Sequence, residues 1–180
     1  MDVYIQGNTF EQADKKYWFL IGLADEGKGQ PGSFFFTKDD LKHAVSNTSV
    51  SDVSIWIEHG TATKENIGEL VYWWVDENDG LYIVARFEVS LRSSALQNWI
   101  RDGLYTGISM GYTTQYDDFF FVKQKNIFEI SIVHEPFHPA CRIKQIVSGQ
   151  GFLRIKQALE NLSKRERAVD VWDLFLNASS

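Results

Sequence analysis

Two apolar runs, Gly68 to Val75 and Leu81 to Val89, flank the acidic stretch Asp76-Glu77-Asn78-Asp79-Gly80, and this arrangement constrains the fold more than any other part of the chain. Both runs have the length and the aromatic and β-branched content of strands. Asp79-Gly80 supplies residues that tolerate the positive φ of a tight antiparallel reversal. A β-hairpin is therefore expected at the middle of the chain. Tyr17 to Leu23, Ser54 to Glu58, Gly107 to Tyr112 and Ile127 to Val133 read as further strands.

Helical signals are fewer. Thr37 ahead of Lys38-Asp39-Asp40 matches an N-cap with an acidic first turn, and Leu41, Ala44 and Val45 form a short apolar face, which predicts a helix from about Thr37 to Val45. From Ser93 to Asp102, Leu96, Trp99 and Ile100 recur at i, i+3 and i+4, and Gly103 stands where a left-handed C-cap is wanted. Phe152, Ile155, Ala158, Leu159 and Leu162, then Val169, Trp172 and Leu176, predict two C-terminal helices over about 151–177. Between the first strand and the first helix, Asp25 to Gly32 holds three glycines and a proline and is expected to be a flexible loop.

The 180 residues fit one domain, without repeats. Eighteen Lys+Arg against 24 Asp+Glu leave a net charge of -6, which argues against the phosphate-neutralising surface that nucleic-acid binding requires. Aromatic residues around Trp73-Trp74 and Phe119 to Phe121 lack interleaved Lys and Arg, so they are assigned to core or subunit-interface packing. No apolar stretch reaches the roughly 18 residues of a membrane span, and Met1 to Gln6 lacks the basic start of an export signal. The single cysteine, Cys141, excludes an internal disulfide and a cysteine-rich zinc site, fits a reducing cytoplasm, and reads as a small buried apolar residue.

Three segments hold polar groups that packing does not require. Glu58-His59-Gly60 ends an apolar strand with a histidine whose near-neutral pKa suits proton transfer. Gly107-Ile108-Ser109-Met110-Gly111 sets a serine between glycines at i-2 and i+2, which lets a substrate carbonyl and backbone N–H groups approach the hydroxyl. The spelling matches an α/β-hydrolase elbow, but β-like segments surround it in place of the βαβ context that motif needs. The third segment runs from Phe128 to Pro139 and carries Glu129, Ser131, His134, Glu135 and His138. With Ile130 and Ile132 in the core, and Phe128 with them, Glu129 and Ser131 fall on the opposite strand face. A metal hydrolase using His59, His134, His138 and Glu135 is a further reading, against which Pro136 breaks the helix that an i, i+4 histidine pair requires.

In order, the chain presents His59 at a strand end, Ile67-Gly68-Glu69, Asp79-Gly80-Leu81-Tyr82, Asp102-Gly103-Leu104, Gly107 to Tyr112, and Glu129-Ile130-Ser131-Ile132-Val133 followed by Pro136 and Pro139. This order, from about Val53 to Ile143, resembles the prohead (capsid maturation) proteases of tailed phages, which share fold and chemistry with the herpesvirus assemblin proteases. The resemblance implies an α+β fold in which a small, mainly antiparallel β-barrel is surrounded by helices. It implies a serine endopeptidase with Ser109 as nucleophile, His59 as general base and Glu129 as the residue that orients His59. His134 is the rival for that third place, which Glu129 takes as the first residue of the Glu-x-Ser-x-Val stretch. The oxyanion donor is expected from backbone between Glu135 and Ala140, where Pro136 and Pro139 cannot donate. Phe137-His138-Pro139-Ala140-Cys141-Arg142 departs from the arginine-rich stretch of the herpesvirus relatives.

The resemblance further implies no cofactor or metal, scaffold and major capsid protein as substrates, a homodimer, and a place in the host cytoplasm inside the assembling prohead, with neither nucleic acid nor membrane as partner. Ala178-Ser179 resembles the self-release sites of the herpesvirus relatives. The alternative is a non-catalytic assembly or scaffold-binding module with the same barrel.

Overall fold

The expected hairpin is formed by β3 (Gly68–Asp76) and β4 (Gly80–Glu88), paired antiparallel from Glu69↔Arg86 to Asp76↔Gly80. Gly80 takes φ 126° at the reversal, and a Cβ there would meet the backbone of Asp25 and Glu26, so both the turn and the close approach require glycine. The computed structural model describes residues 16–61 and 65–148. The predicted C-terminal helices and Ala178-Ser179 lie outside them. No described helix is long and apolar enough to cross a membrane.

A seven-stranded sheet grows from this hairpin. β1 (Tyr17–Asp25) pairs with the far side of β4, and β7 (Ile143–Ser148) pairs with β1. On the other side β2 (Ser54–Ile57) pairs with β3, β6 (Val122–Val133) with β2, and β5 (Gly107–Tyr116) with β6. The order is β5-β6-β2-β3-β4-β1-β7, antiparallel except where β2 meets β6. The sheet curls until the starts of its two edge strands, β5 and β7, meet. Gly107 forms a bridge with Arg142, Ile108 N–H donates to the Cys141 carbonyl (2.9 Å), and Ile143 N–H donates to the Thr106 carbonyl (2.9 Å). The result is a mostly β half-barrel with two described helices.

β1 is buried on both faces. Trp18 and Leu20 join the inner core with Ile55, Leu70, Ile83, Phe87, Leu96, Ile108, Ile130 and Ile132, while Phe19, Ile21 and Leu23 join Trp74, Tyr82 and Val84 in a second cluster. Trp18 stacks on Phe87 with ring centroids 4.2 Å apart. Each such large apolar side chain contributes roughly 1.5–3 kcal/mol on burial.

α1 (Lys38–Asn47) begins as the sequence predicts. The Thr37 hydroxyl accepts from Asp40 N–H, and the Asp40 carboxylate accepts from Thr37 N–H. That carboxylate also accepts from Lys125 Nζ at 2.7 Å, a lysine only 3% exposed on β6. Burial alone would raise the Asp40 pKa, but the Lys125 and Thr37 hydrogen bonds outweigh it and hold the carboxyl below its ordinary value.

α2 (Leu91–Arg101) starts two residues before the predicted Ser93, because Ser90 and Ser93 form a capping box in which a hydroxyl replaces the usual Glu or Gln. It ends at Gly103, φ 78°, as expected. Leu96 is buried, but Trp99 faces outward beside Tyr105. Phe119, Phe120 and Phe121 are likewise exposed, at the tip of the β5–β6 hairpin. Cys141 is buried, and burial pushes its thiol up to about 12.

Candidate active site

The site begins where β2 stops. Glu58, His59 and Gly60 take φ of 48°, 56° and 67°, one left-handed turn directly after an extended strand. Left-handed backbone costs about 1–3 kcal/mol at each non-glycine residue, so surrounding contacts must hold the turn. His59 N–H donates to Ser131 Oγ (3.1 Å), Thr61 N–H donates to the Glu58 carbonyl (3.1 Å), and Glu58 Oε1 accepts from His134 N–H (2.6 Å). Two of these three bonds come from β6 and the residue that follows it.

The parallel β2–β6 register, Ser54↔Glu129 and Trp56↔Ser131, explains why. The reversal after Ile57 carries His59 back over residues one and two pleats down β6. Its Nδ1 lies 2.5 Å from Glu129 Oε1, the same oxygen that accepts from Ser131 Oγ at 2.5 Å. Glu129 is 2% exposed, whereas the His59 side chain is 45% exposed. A proton on Nδ1, facing the carboxylate, would leave Nε2 as the basic position of the ring. Among the described residues Nε2 has no hydrogen-bond partner.

Ser109 reaches the same face through β5. The β5–β6 register sets Ser109 against Ser131, Gly111 against Glu129 and Gly107 against Val133. Directly opposed residues project to one side of a sheet, so Ser109, Ser131 and Glu129 share a face. Both flanking glycines are spatially required. A Cβ on Gly111 would collide with the Glu129 carboxylate, and one on Gly107 would lie 2.5 Å from Pro136 Cδ. The glycines thus admit a buried acid on one side of Ser109 and the segment after β6 on the other. Among the described residues the Ser109 hydroxyl has no hydrogen-bond partner, so Ser109 lies on this face without a direct bond to His59.

His134 is engaged elsewhere. Its Nδ1 is 2.8 Å from the Leu104 carbonyl, and its ring stacks on Tyr105 at 4.2 Å. Glu129, and not His134, meets the His59 ring. After β6, Arg142 Nε donates to the Pro139 carbonyl (3.0 Å) and Nη1 to Thr106 Oγ1 (2.5 Å), tying the 135–141 loop to the start of β5. Cys141 N–H is taken by the His138 carbonyl at 2.9 Å. Among the described residues the amides of Glu135, Phe137, His138 and Ala140 have no hydrogen-bond partner. Also among them, no three His, Cys, Asp or Glu side chains form a group that could hold a metal ion.

Two participants were not foreseen in these roles. Ser131 was legible only as a same-face neighbour of Glu129, and Glu58 only as a neighbour of His59. Phe128, expected in the core, is 40% exposed and contacts Trp56 edge-on at 6.1 Å.

No family model matches the chain, nor does any curated protein. Among solved structures the chain is similar to the KSHV protease, crystallised with a hexapeptide phosphonate inhibitor. The identity is 10%, the TM-score 0.54, and the match covers 91% of this chain and 89% of that one. The likeness is one of fold alone.

Proposed function

We propose that the protein is a serine endopeptidase in which Ser109 is the nucleophile, His59 the general base and Glu129 the residue that orients His59. The observation that carries this reading is the 2.5 Å contact between His59 Nδ1 and Glu129 Oε1 on the sheet face that Ser109 shares. His59 Nε2 takes the Ser109 proton as Oγ bonds to the scissile carbonyl carbon, and the carbonyl oxygen becomes an oxyanion. The imidazolium then protonates the leaving amine as the C–N bond breaks, and water releases the acyl group by the same steps in reverse. Glu129 stays ionised throughout and stabilises the imidazolium. Free amides between Glu135 and Ala140 are the candidate oxyanion donors.

The substrates proposed are scaffold and capsid-protein segments, cut by a homodimer without cofactor inside a maturing prohead. Support for this finer reading is the order of motifs from His59 to Pro139, together with the fold shared with a viral protease.

The test is labelling of the purified protein with a serine-phosphonylating reagent over a range of protein concentrations, followed by peptide mapping. The expected result is an adduct on Ser109 that is absent in Ser109→Ala and His59→Ala, with a rate that rises with concentration if dimerisation activates the site. An unlabelled Ser109 at every concentration overturns the protease reading and moves weight to a binding module.

A further inference from the structure

We propose that Ser131 is a positioning residue whose hydroxyl locks the His59 imidazole onto Glu129. Ser131 is 0% exposed, and its one oxygen acts in both directions, donating to Glu129 Oε1 at 2.5 Å and accepting from His59 N–H at 3.1 Å. With the 2.5 Å contact from His59 Nδ1 to the same Oε1, three hydrogen bonds close a ring. The ring ties the backbone of His59 and its imidazole to one carboxylate oxygen by separate routes.

That double attachment matters because little else holds the histidine. Its side chain is 45% exposed, so packing does not fix the rotamer, and its backbone sits at φ 56°. The bond from His59 N–H to Ser131 Oγ anchors the left-handed turn to the strand that carries Glu129. Only a group that both donates and accepts at one atom can make this link, and a hydroxyl two residues beyond Glu129 lies on the face where it is needed. Alanine there removes both bonds, leaves the buried Oε1 one donor short and frees the His59 amide. A long side chain would instead crowd Ser109, which stands directly opposite.

The effect on rate rests on the protease reading, whereas the ring of hydrogen bonds does not, and the test separates the two. In the wild type, the His59 backbone amide is expected to exchange roughly tenfold or more slowly than an unstructured amide despite the exposure of its side chain. Nitrogen NMR of the imidazole is expected to report the Nδ1-protonated tautomer, giving way to a mixture in Ser131→Ala. Phosphonylation of Ser109 is expected to slow roughly tenfold or more in that variant. An unprotected His59 amide in the wild type overturns the proposal even if Ser131→Ala does not fold. So does a Ser131→Ala protein that keeps both the tautomer and the labelling rate. If the wild type takes no adduct, the protease reading fails, and the exchange and NMR results still decide the role of Ser131.

Discussion

Gly111 stands directly opposite Glu129 across the β5–β6 pair, and the Glu129 carboxylate fills the space that a Cβ on residue 111 would take. Gly111→Ala is therefore expected to push Glu129 away from His59. The destabilisation should be about 1–3 kcal/mol, the usual cost of overpacking a full site. Labelling of Ser109 should fall at least about tenfold as the His59–Glu129 contact lengthens. Thermal unfolding and phosphonylation kinetics on one preparation check both effects, and an unchanged labelling rate refutes the spatial argument.

Glu129→Gln keeps the shape of the side chain but removes the charge that favours a protonated imidazole. Labelling of Ser109 should drop by about 10²-fold or more, as when the acid of such a triad becomes an amide. Folding should be affected far less, with Tm moving by no more than about 4 °C. Equal rates in the two proteins would reduce Glu129 to a structural acid.

The Asp40–Lys125 pair gives a pH dependence of stability. The native carboxyl of Asp40 titrates below its ordinary value. Its contribution is then complete above the unfolded pKa, near about 4, and is lost as pH falls through the lower native value. Asp40→Asn leaves the 3%-exposed Lys125 without its carboxylate and should destabilise the fold by about 2–3 kcal/mol at neutral pH. That figure is at the lower edge for a buried pair, because the Asp40 side chain keeps 33% of its surface in water. Urea unfolding between pH 2 and 7, approximate limits that bracket the carboxyl range, should show a flatter acid limb in Asp40→Asn. Lys125→Met should cost less than Asp40→Asn, because the carboxylate it leaves is one-third exposed and still accepts from Thr37 N–H, whereas Asp40→Asn strands a buried charge.

Cys141 should be inert in the native protein. Burial, reinforced by the charges of Asp25 and Glu26, raises its thiol to about 12. A chromogenic disulfide reagent at mildly alkaline pH should find no thiol until denaturant is added, and then one per chain. Fast reaction of the folded protein would contradict its 1% exposure.

Local features of the fold were legible because local chemistry produces them. The Thr37 cap, the reversal before Gly80 and the stop at Gly103 each depend on a few adjacent residues. The early start of α2 was missed because Ser93 does the work expected of a glutamate. Strand alternation put Glu129 and Ser131 on one face of β6, but the turn that lies over them there is a long-range contact, which no periodicity encodes. The same holds for the parallel β2–β6 pairing and for buried Lys125, whose partner is 85 residues away. His59, Ser109 and Glu129 were singled out by their neighbours in sequence, and the register that gathers their segments is a property of the assembled sheet.

The parallel junction of β2 and β6 also has a kinetic meaning. The β3–β4 and β5–β6 hairpins close short loops and can form early, while His59 and Glu129 are 70 residues apart and meet only when β2 docks beside β6. A folding chain can therefore hold much of its hairpin structure while its histidine and acid remain strangers. Reactivity at Ser109 would then return later in refolding than the bulk sheet signal, making the chemistry of the site a clock for the last long-range step.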